Sequence, residues 1–325
     1  MQVVRHFENI APAFRGVSVA LGNFDGVHRG HRAVIGAAQE VAGNLNVPLG
    51  VLIFEPHPQE YFAPQKPFFR LTPFRAKARL LEQLGVEVIF ALPFDARMAG
   101  MEPVDFVTDV IMHGLNAVHV AVGYDFRFGA KRAGDAALLA YMGQMEGFGV
   151  SIVPPVMGKA GEIYSSTRIR AFLNEGEPEK AAGLLGHWWT VDGRIVSGDK
   201  RGRVIGFPTL NIPLHEHVPL KRGVYAVRVE IEDGPHKGFF DGVANVGHRP
   251  TFGKSELLLE AHLFDFAGDL YGAHADVSFI AFLREERRFE GLEALKSQIG
   301  LDGAQAKRHL ARLGAARVPF ESVPE

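Results

Sequence analysis

Two histidines three residues apart, His28 and His31, stand where a β-rich run (residues 17–21) passes through a loop into a helical pattern. At that spacing both imidazoles can face one side of the first helical turn. Backbone N–H groups and the positive end of the helix dipole point the same way. Gly22, Gly26 and Gly30 let the backbone approach a ligand closely. The combination describes a cradle for nucleotide phosphates, weighed against the plainer reading of a glycine-containing βα turn capped by a histidine.

A second set of residues lies in the other half. Residues 198–211 read GDKRGRVIGFPTLN, with Gly198, Gly202 and Gly206 four apart and Lys200, Arg201 and Arg203 between them. This is no P-loop, since GxxxxGK[ST] is absent. The spacing describes either a loop closing over phosphates or a tight barrel corner. Thr209 and Asn211 share one face of an extended segment, and their oxygens are hard ligands suited to Mg²⁺. For PTLN alone, a structural turn is the better reading. In residues 257–264, LLLEAHLF, Glu260, His262 and Phe264 fall on one strand face, and Leu259, Ala261 and Leu263 on the other. Glu260 is either a surface carboxylate or a base that takes a proton from a substrate hydroxyl beside a metal-bound triphosphate.

Elements must position these groups. The first half alternates apolar runs (17–21, 49–54, 86–91, 117–122, 150–154) with helical patterns such as 75–84 and 103–113. That alternation predicts βαβ units and a doubly wound parallel sheet, with ligands at the carboxyl ends of its strands. Helices over about 167–173 and 178–185 follow. From there to about residue 283 come short strands divided by Gly, Pro and Asp turns, for example 223–231 and 257–264, which predict a small antiparallel β-barrel. Residues 291–313 carry Leu292, Leu295, Ile299, Ala306, Leu310 and Leu313 at helical spacing and predict a helix packed outside the barrel. The domain boundary falls at about residue 185, giving domains 1–185 and 186–325.

Composition sets limits. The chain has 325 residues, 47% apolar and 22% charged, with a net charge of −2. Two soluble domains are expected, and no basic tract marks a nucleic-acid partner. There is no cysteine, which excludes disulfides and Cys-type zinc sites. The N-terminal residues contain no apolar signal core and no run is long enough to span a membrane, so a cytoplasmic location is expected.

Three further segments belong with the histidines: FEPHP (residues 54–58), GYDFRFG (123–129) and SSTRIR (165–170). In the last, Ser166 and Thr167 can offer hydroxyls at a helix start, and Arg168 and Arg170 add charge for a polyphosphate. A capped surface helix is the alternative.

Gly22, Phe24, Asp25, His28, Gly30 and His31 together resemble the GxFDxxHxGH signature of the HxGH nucleotidyltransferases. With FEPHP, GYDFRFG and SSTRIR in the same order, the resemblance narrows to the bacterial bifunctional riboflavin kinase/FAD synthetases. It implies that His28 and His31 hold ATP phosphates and stabilise charge on the transferring α-phosphoryl group. It implies further that Ser166, Thr167 and Arg168 hold the β and γ phosphates, and that Asp125 and His57 lie beside the flavin or the reacting phosphates. Phe62, Phe106 and Phe128 are candidates for the apolar slot that a flavin requires. The second half, with GVYAVRV, GVANVGHRPTFG, LEAHLFDF and LREERRF, resembles the riboflavin kinase domain of the same family. That resemblance implies Mg²⁺ and nucleotide at Thr209 and Asn211, with Glu260 activating the ribityl 5′-hydroxyl. Departures are small: Trp188-Trp189 replace an Arg-Pro-Tyr-like segment, and Leu210 stands where alanine is frequent. The implied enzyme phosphorylates riboflavin to FMN and adenylylates FMN to FAD, using ATP and Mg²⁺. Its rivals are another HxGH transferase, which leaves the second half unexplained, and a flavin-sensing regulator, which has no need of a base.

Overall fold

Strands of the first half read as unbroken apolar runs because both faces of their sheet are buried. A computed structural model of the chain describes residues 1–66, 68–158, 161–198, 206–214, 218–251 and 254–313. In it Val19, Leu21, Leu52, Val120 and Val122 join one core, while Ala20, Val51, Ile53 and Ala121 join another across the sheet. The chain divides into two compact units, Met1–Ser165 and Ser166–Glu325.

The first unit contains β1 (Gln2–Val4), β2 (Ser18–Leu21), β3 (Leu49–Glu55), β4 (Val88–Pro93), β5 (His119–Gly123), a two-stranded ribbon of β6 (Arg127–Phe128) and β7 (Gly134–Asp135), and β8 (Gly149–Val153). Six strands form one parallel sheet in the order β1-β4-β3-β2-β5-β8. On one face α1 (Arg29–Leu45) sets Val34, Ile35, Ala38 and Ala42 into the core. Burying Ile35 alone is worth about 1.5–3 kcal/mol. Short α2 (Pro58–Phe62) follows β3, and Leu81 of α3 (Phe74–Gln83) joins the same core as α1. The opposite face is covered by a segment that follows α4 (Ala96–Gly100) and α5 (Pro103–Asp105), and by α6 (Ala136–Glu146). That segment, Phe106–Gly114, is a π-helix rather than the α-helix its apolar pattern predicts. The sequence reading also lacks β1, because three residues carry no periodicity.

After β2 the chain adds β3 and β4 on one side, then returns to add β5 on the other. The crevice outside the carboxyl ends of β2 and β5 is therefore the topological switch point, where open α/β sheets bind ligands.

A buried polar chain crosses the sheet below it. The Ser18 hydroxyl donates to the Ala38 carbonyl at 2.7 Å and lies 2.9 Å from His119 Nδ1, while His119 Nε2 lies 2.9 Å from the Ser151 hydroxyl. Both ring nitrogens are satisfied with the ring neutral. Burial lowers the His119 pKa below its ordinary 6.5. As pH falls below 6.5, the unfolded chain takes up a proton that the folded one resists, so stability falls. His31 and His57, also lowered by burial, pull the same way. Thermal melting should therefore drop between pH 7 and 5, and His119→Asn should flatten that slope; an unchanged slope would mean that His119 does not contribute to it.

The second unit opens with α7 (Ser166–Glu175) and α8 (Pro178–Leu185). Six antiparallel strands follow: β9 (Thr190–Arg194), β10 (Leu210–Pro213), β11 (Gly223–Ile231), β12 (Gly238–Thr251), β13 (Lys254–Leu263) and β14 (His274–Arg284). Their order is β10-β13-β12-β11-β14-β9, and a bridge between Val196 and Asn211 brings the two ends together into a nearly closed barrel. Val224 and Ala226 face outward, under Ala306 and Leu310 of α9 (Leu292–Ala311), as the tail pattern predicts. A bidentate pair from Arg284 to buried Asp302, at 2.7–3.1 Å, fastens α9 to β14. Trp189, Tyr225 and Phe279 are fully buried, the Phe279 ring meeting each of the other two, and Trp188 packs with Val224, so the two tryptophans are core residues. No described helix is long and apolar enough to cross a membrane.

Candidate active sites

His28 does two things at once. Its extended backbone makes it the N-cap of α1, and its Nδ1 accepts the His31 backbone N–H at 3.2 Å. The two imidazoles stack, with centroids 3.5 Å apart and planes 15° from parallel. Gly30 is needed for this arrangement, since a Cβ there would stand 3.2 Å from the His28 ring. Phe24 meets His31 edge-on at 5.3 Å and is itself buried against the end of β2, where Gly22 leaves room for its ring. His31 Nδ1 is buried and has no hydrogen-bond partner among the described residues. Burial first, then the charges of His28 and Lys77, hold the His31 pKa well below 6.5.

The loop before these histidines is strained. Phe24, Gly26 and Val27 all have positive φ (48°, 92° and 45°). For β-branched Val27 this is a true outlier, and such residues cost about 1–3 kcal/mol each. Buried Asp25 accepts the Thr72 N–H at 3.1 Å, and the Gly26 N–H donates to the Thr72 hydroxyl at 2.9 Å. Lys77 Nζ donates to the Asn23 carbonyl at 2.8 Å. The sequence reading passed over Thr72 and Lys77. The available signal was Lys77 four residues before Leu81, a lysine on the face of α3 that enters the core.

FEPHP leaves β3 and GYDFRFG leaves β5, on either side of the histidine loop at the end of β2. His57 caps α2 by accepting the Gln59 N–H at 3.1 Å, and it stacks on Phe68 at 4.5 Å. Burial lowers its pKa to about 4, so the ring is neutral at pH 7. Arg70 grips both Glu60 oxygens and one Glu55 oxygen at 2.6–2.7 Å. Asp125 is exposed just beyond β5. The aromatic candidates occupy different settings: Phe106 and Phe128 are buried core residues 5.5 Å apart, while Phe62 is 66% exposed. Ring contacts nevertheless link them in one series, from Phe62 through Phe94, Phe54 and Phe106 to Phe128 and half-buried Phe126. Ser166, Thr167 and Arg168 open α7, where the Arg168 guanidinium lies 4.2 Å from the Phe172 ring centre.

In the barrel, cross-strand register assembles the second group. Asn211 on β10 pairs with Glu260 on β13, which pairs with Asn245 on β12. Directly opposed residues share a sheet face, so these three side chains form one row. Leu259, Ala261 and Leu263 are buried and Glu260 is exposed, as the alternation predicts. Asn245 Nδ2 donates to Glu286 Oε1 at 3.0 Å, placing a second carboxylate beside the row. The signal for Glu286 was present in LREERRF, but two acidic and three basic residues in seven positions do not single one out. Asn211 is buried, and its Oδ1 has no partner among the described residues. Gly198 packs against it so closely that a Cβ would fall 2.4 Å from the amide. Thr209 is half-buried and lines an apolar cleft of about 250 Å³ with Ile195, Leu263 and Phe266. Gly206 is exposed, with φ 89°. Lys200, Gly202 and Arg203 lie outside the described residues.

A parallel sheet that sets a strained, glycine-bearing loop and helix start at its switch point is a nucleotide-binding unit. A barrel that aligns Glu260 with Asn211, whose Oδ1 has no partner among the described residues, offers the second candidate site. Comparison with known proteins makes the assignment specific. Residues 11–168 match the FAD synthetase family and residues 185–310 the riboflavin kinase family. The bifunctional riboflavin kinase/FMN adenylyltransferase of Escherichia coli (strain K12) is 42% identical over 94% of this chain and 97% of its own. The protein of the same description from Listeria monocytogenes is 37% identical over 91% and 93%. A Streptococcus pneumoniae crystal structure, described as a macrolide-efflux protein, is 30% identical with a TM-score of 0.82, covering 94% of this chain and 98% of that one. The chain belongs to the bifunctional riboflavin kinase/FMN adenylyltransferase family, and it carries both activities.

Proposed function

We propose that the first site is the loop running into α1 and the second the Asn211–Glu260–Asn245 row, with the functional boundary at about residue 185. One observation in each unit supports this: the stacked histidines at the switch point, and the orphaned Asn211 oxygen in the row that holds Glu260. The boundary is supported by the start of the riboflavin kinase match at residue 185.

In adenylyl transfer an FMN phosphate oxygen attacks the α-phosphorus of ATP, the α–β bridging bond breaks, and pyrophosphate leaves. The nucleophile is already an anion, so the protein supplies alignment and charge stabilisation. His28 Nδ1 accepts a backbone N–H, so its ring proton lies on Nε2 and can be given to a phosphate oxygen. Gly22, Phe24, Asp25 and Gly30 shape the cradle. His57, Asp125 and exposed Phe62 receive the flavin, with buried Phe106 and Phe128 backing it.

In the kinase reaction Glu260 takes the proton of the ribityl 5′-hydroxyl. The oxygen attacks the γ-phosphorus, the β–γ bridging bond breaks, and ADP leaves. Gly198 and Gly206, with Lys200, Gly202 and Arg203 of the sequence between them, are assigned to the nucleotide phosphates on this reading. Among the described residues no group of three or more His, Asp or Glu could hold a metal. Thr209 and Asn211 still suit Mg²⁺, which keeps waters and takes phosphate oxygens as its other ligands. When bound, the ion neutralises charge on the transferring phosphates. Asn211→Ala should raise the Mg²⁺ concentration for half-maximal riboflavin phosphorylation at least tenfold and leave FMN adenylylation alone; an unchanged requirement would take Asn211 out of the metal site. The substrates are riboflavin, FMN and ATP, with no nucleic acid or membrane involved, and the need for ATP supports a cytoplasmic location.

The whole reading is tested by incubating the chain with riboflavin, ATP and Mg²⁺ and separating the flavins over time. FMN should appear first and FAD after it. FAD without a preceding FMN phase, or no turnover of either flavin, would contradict the proposed order.

A further inference from the structure

One of the bonds that hold the strained loop comes from a buried cation. Lys77 is 2% exposed, and its Nζ reaches the Asn23 carbonyl at 2.8 Å. Removing an ammonium from water is costly unless partners compensate. A methionine could fill much the same space without a charge to desolvate. The next buried position on that face of α3, Leu81, is apolar, so the helix packs on the sheet without any need for charge. What surrounds Lys77 is a mixed cluster: Asp25, Glu55 and Glu60 favour its charge, and Arg70 opposes it. Asp25 belongs to the loop itself and is also tied to Thr72.

We propose that Lys77 is a positioning residue for adenylyl transfer. By bonding the Asn23 carbonyl in the field of Asp25, it holds the positive-φ backbone at Phe24, Gly26 and Val27, and through it His28 and His31, in the geometry that receives the triphosphate. The inference rests on the reading of this loop as the ATP cradle. Its charge also acts on His31, which lies lower for the presence of Lys77.

The test uses the full chain carrying Lys77→Met, supplied with FMN, ATP and Mg²⁺. The kcat of FMN adenylylation should fall at least tenfold, with the KM for FMN within threefold and riboflavin phosphorylation unchanged. The His31 imidazole, followed by NMR, should titrate at higher pH than in the parent chain. Lys77→Arg, which keeps the charge, should recover most of the lost kcat and leave the His31 titration in place. Adenylylation within threefold of the parent in a folded Lys77→Met chain overturns the proposal. So does a folded Lys77→Arg chain that adenylylates at least tenfold more slowly than the parent, and that measurement decides the matter if Lys77→Met fails to melt cooperatively. The double variant His28→Asn, His31→Gln separates the two failures. Loss of adenylylation there with no effect at Lys77 refutes only the role of Lys77, whereas full activity there refutes the cradle beneath it.

Discussion

Glu260→Ala leaves a chain that no longer converts riboflavin to FMN yet still turns supplied FMN into FAD. A positioned general base contributes about 10²–10⁴-fold, so the kinase rate should fall by that much. The side chain is exposed on β13 and no hydrogen bond fixes it to a neighbour in the described structure, so its removal should change stability by no more than about 0.5 kcal/mol. An unaltered melting temperature beside a lost activity is then the signature of chemistry rather than of misfolding. Glu260→Gln sharpens the point. It keeps the shape and a hydrogen-bonding end but cannot take a proton, and should be as slow as alanine. The row also holds a competitor, because Asn245 ties Glu286 beside Glu260. Should Glu260→Ala retain kinase activity while Glu286→Ala loses it, the base is Glu286 and the assignment to Glu260 is wrong.

Glu260 was legible in the sequence because a strand has a strict period. Once Leu259, Ala261 and Leu263 are assigned to the core, Glu260 has to point the other way. The parallel sheet was legible for a related reason: strands buried on both faces read as apolar runs, and the structure shows two cores on either side of them. Other features have no such signature. Nothing in a sequence period tells a π-helix from an α-helix over Phe106–Gly114, where both pack apolar residues about every fourth position. Nor does it say that Asn245 and Glu286 come to the same row as Asn211, since register and a loop after β14 bring them there. Lys77 was hidden for a different reason. A lysine in a helical pattern is ordinarily a solvated residue, and only the fold shows this one buried beneath the loop that carries the motif. Motif loops announce themselves in glycine, histidine and proline; the groups that brace them sit in unremarked helices.

Removal of the imidazoles at residues 28 and 31 should do the reverse of Glu260→Ala, abolishing FAD formation from FMN and leaving riboflavin phosphorylation at its parent rate. The choice of substitution matters, because His28 is also the cap of α1. Alanine there would forfeit the bond to the His31 N–H and cost about 0.5–2 kcal/mol of stability. Asparagine can make the same cap while lacking the Nε2 proton. His28→Asn therefore isolates the phosphate contact, with an expected loss of about 10²–10³-fold in kcat, the usual cost of one charge-stabilising donor. His31→Gln should cost a comparable factor. The two effects should not multiply, since the rings are stacked 3.5 Å apart and each change disturbs the other. A double variant only slightly slower than either single one is the expected pattern for two groups that act as one device. Multiplied losses would instead mean that each histidine serves a separate phosphate, and undiminished FAD formation would leave the pair with no more than a capping role in α1.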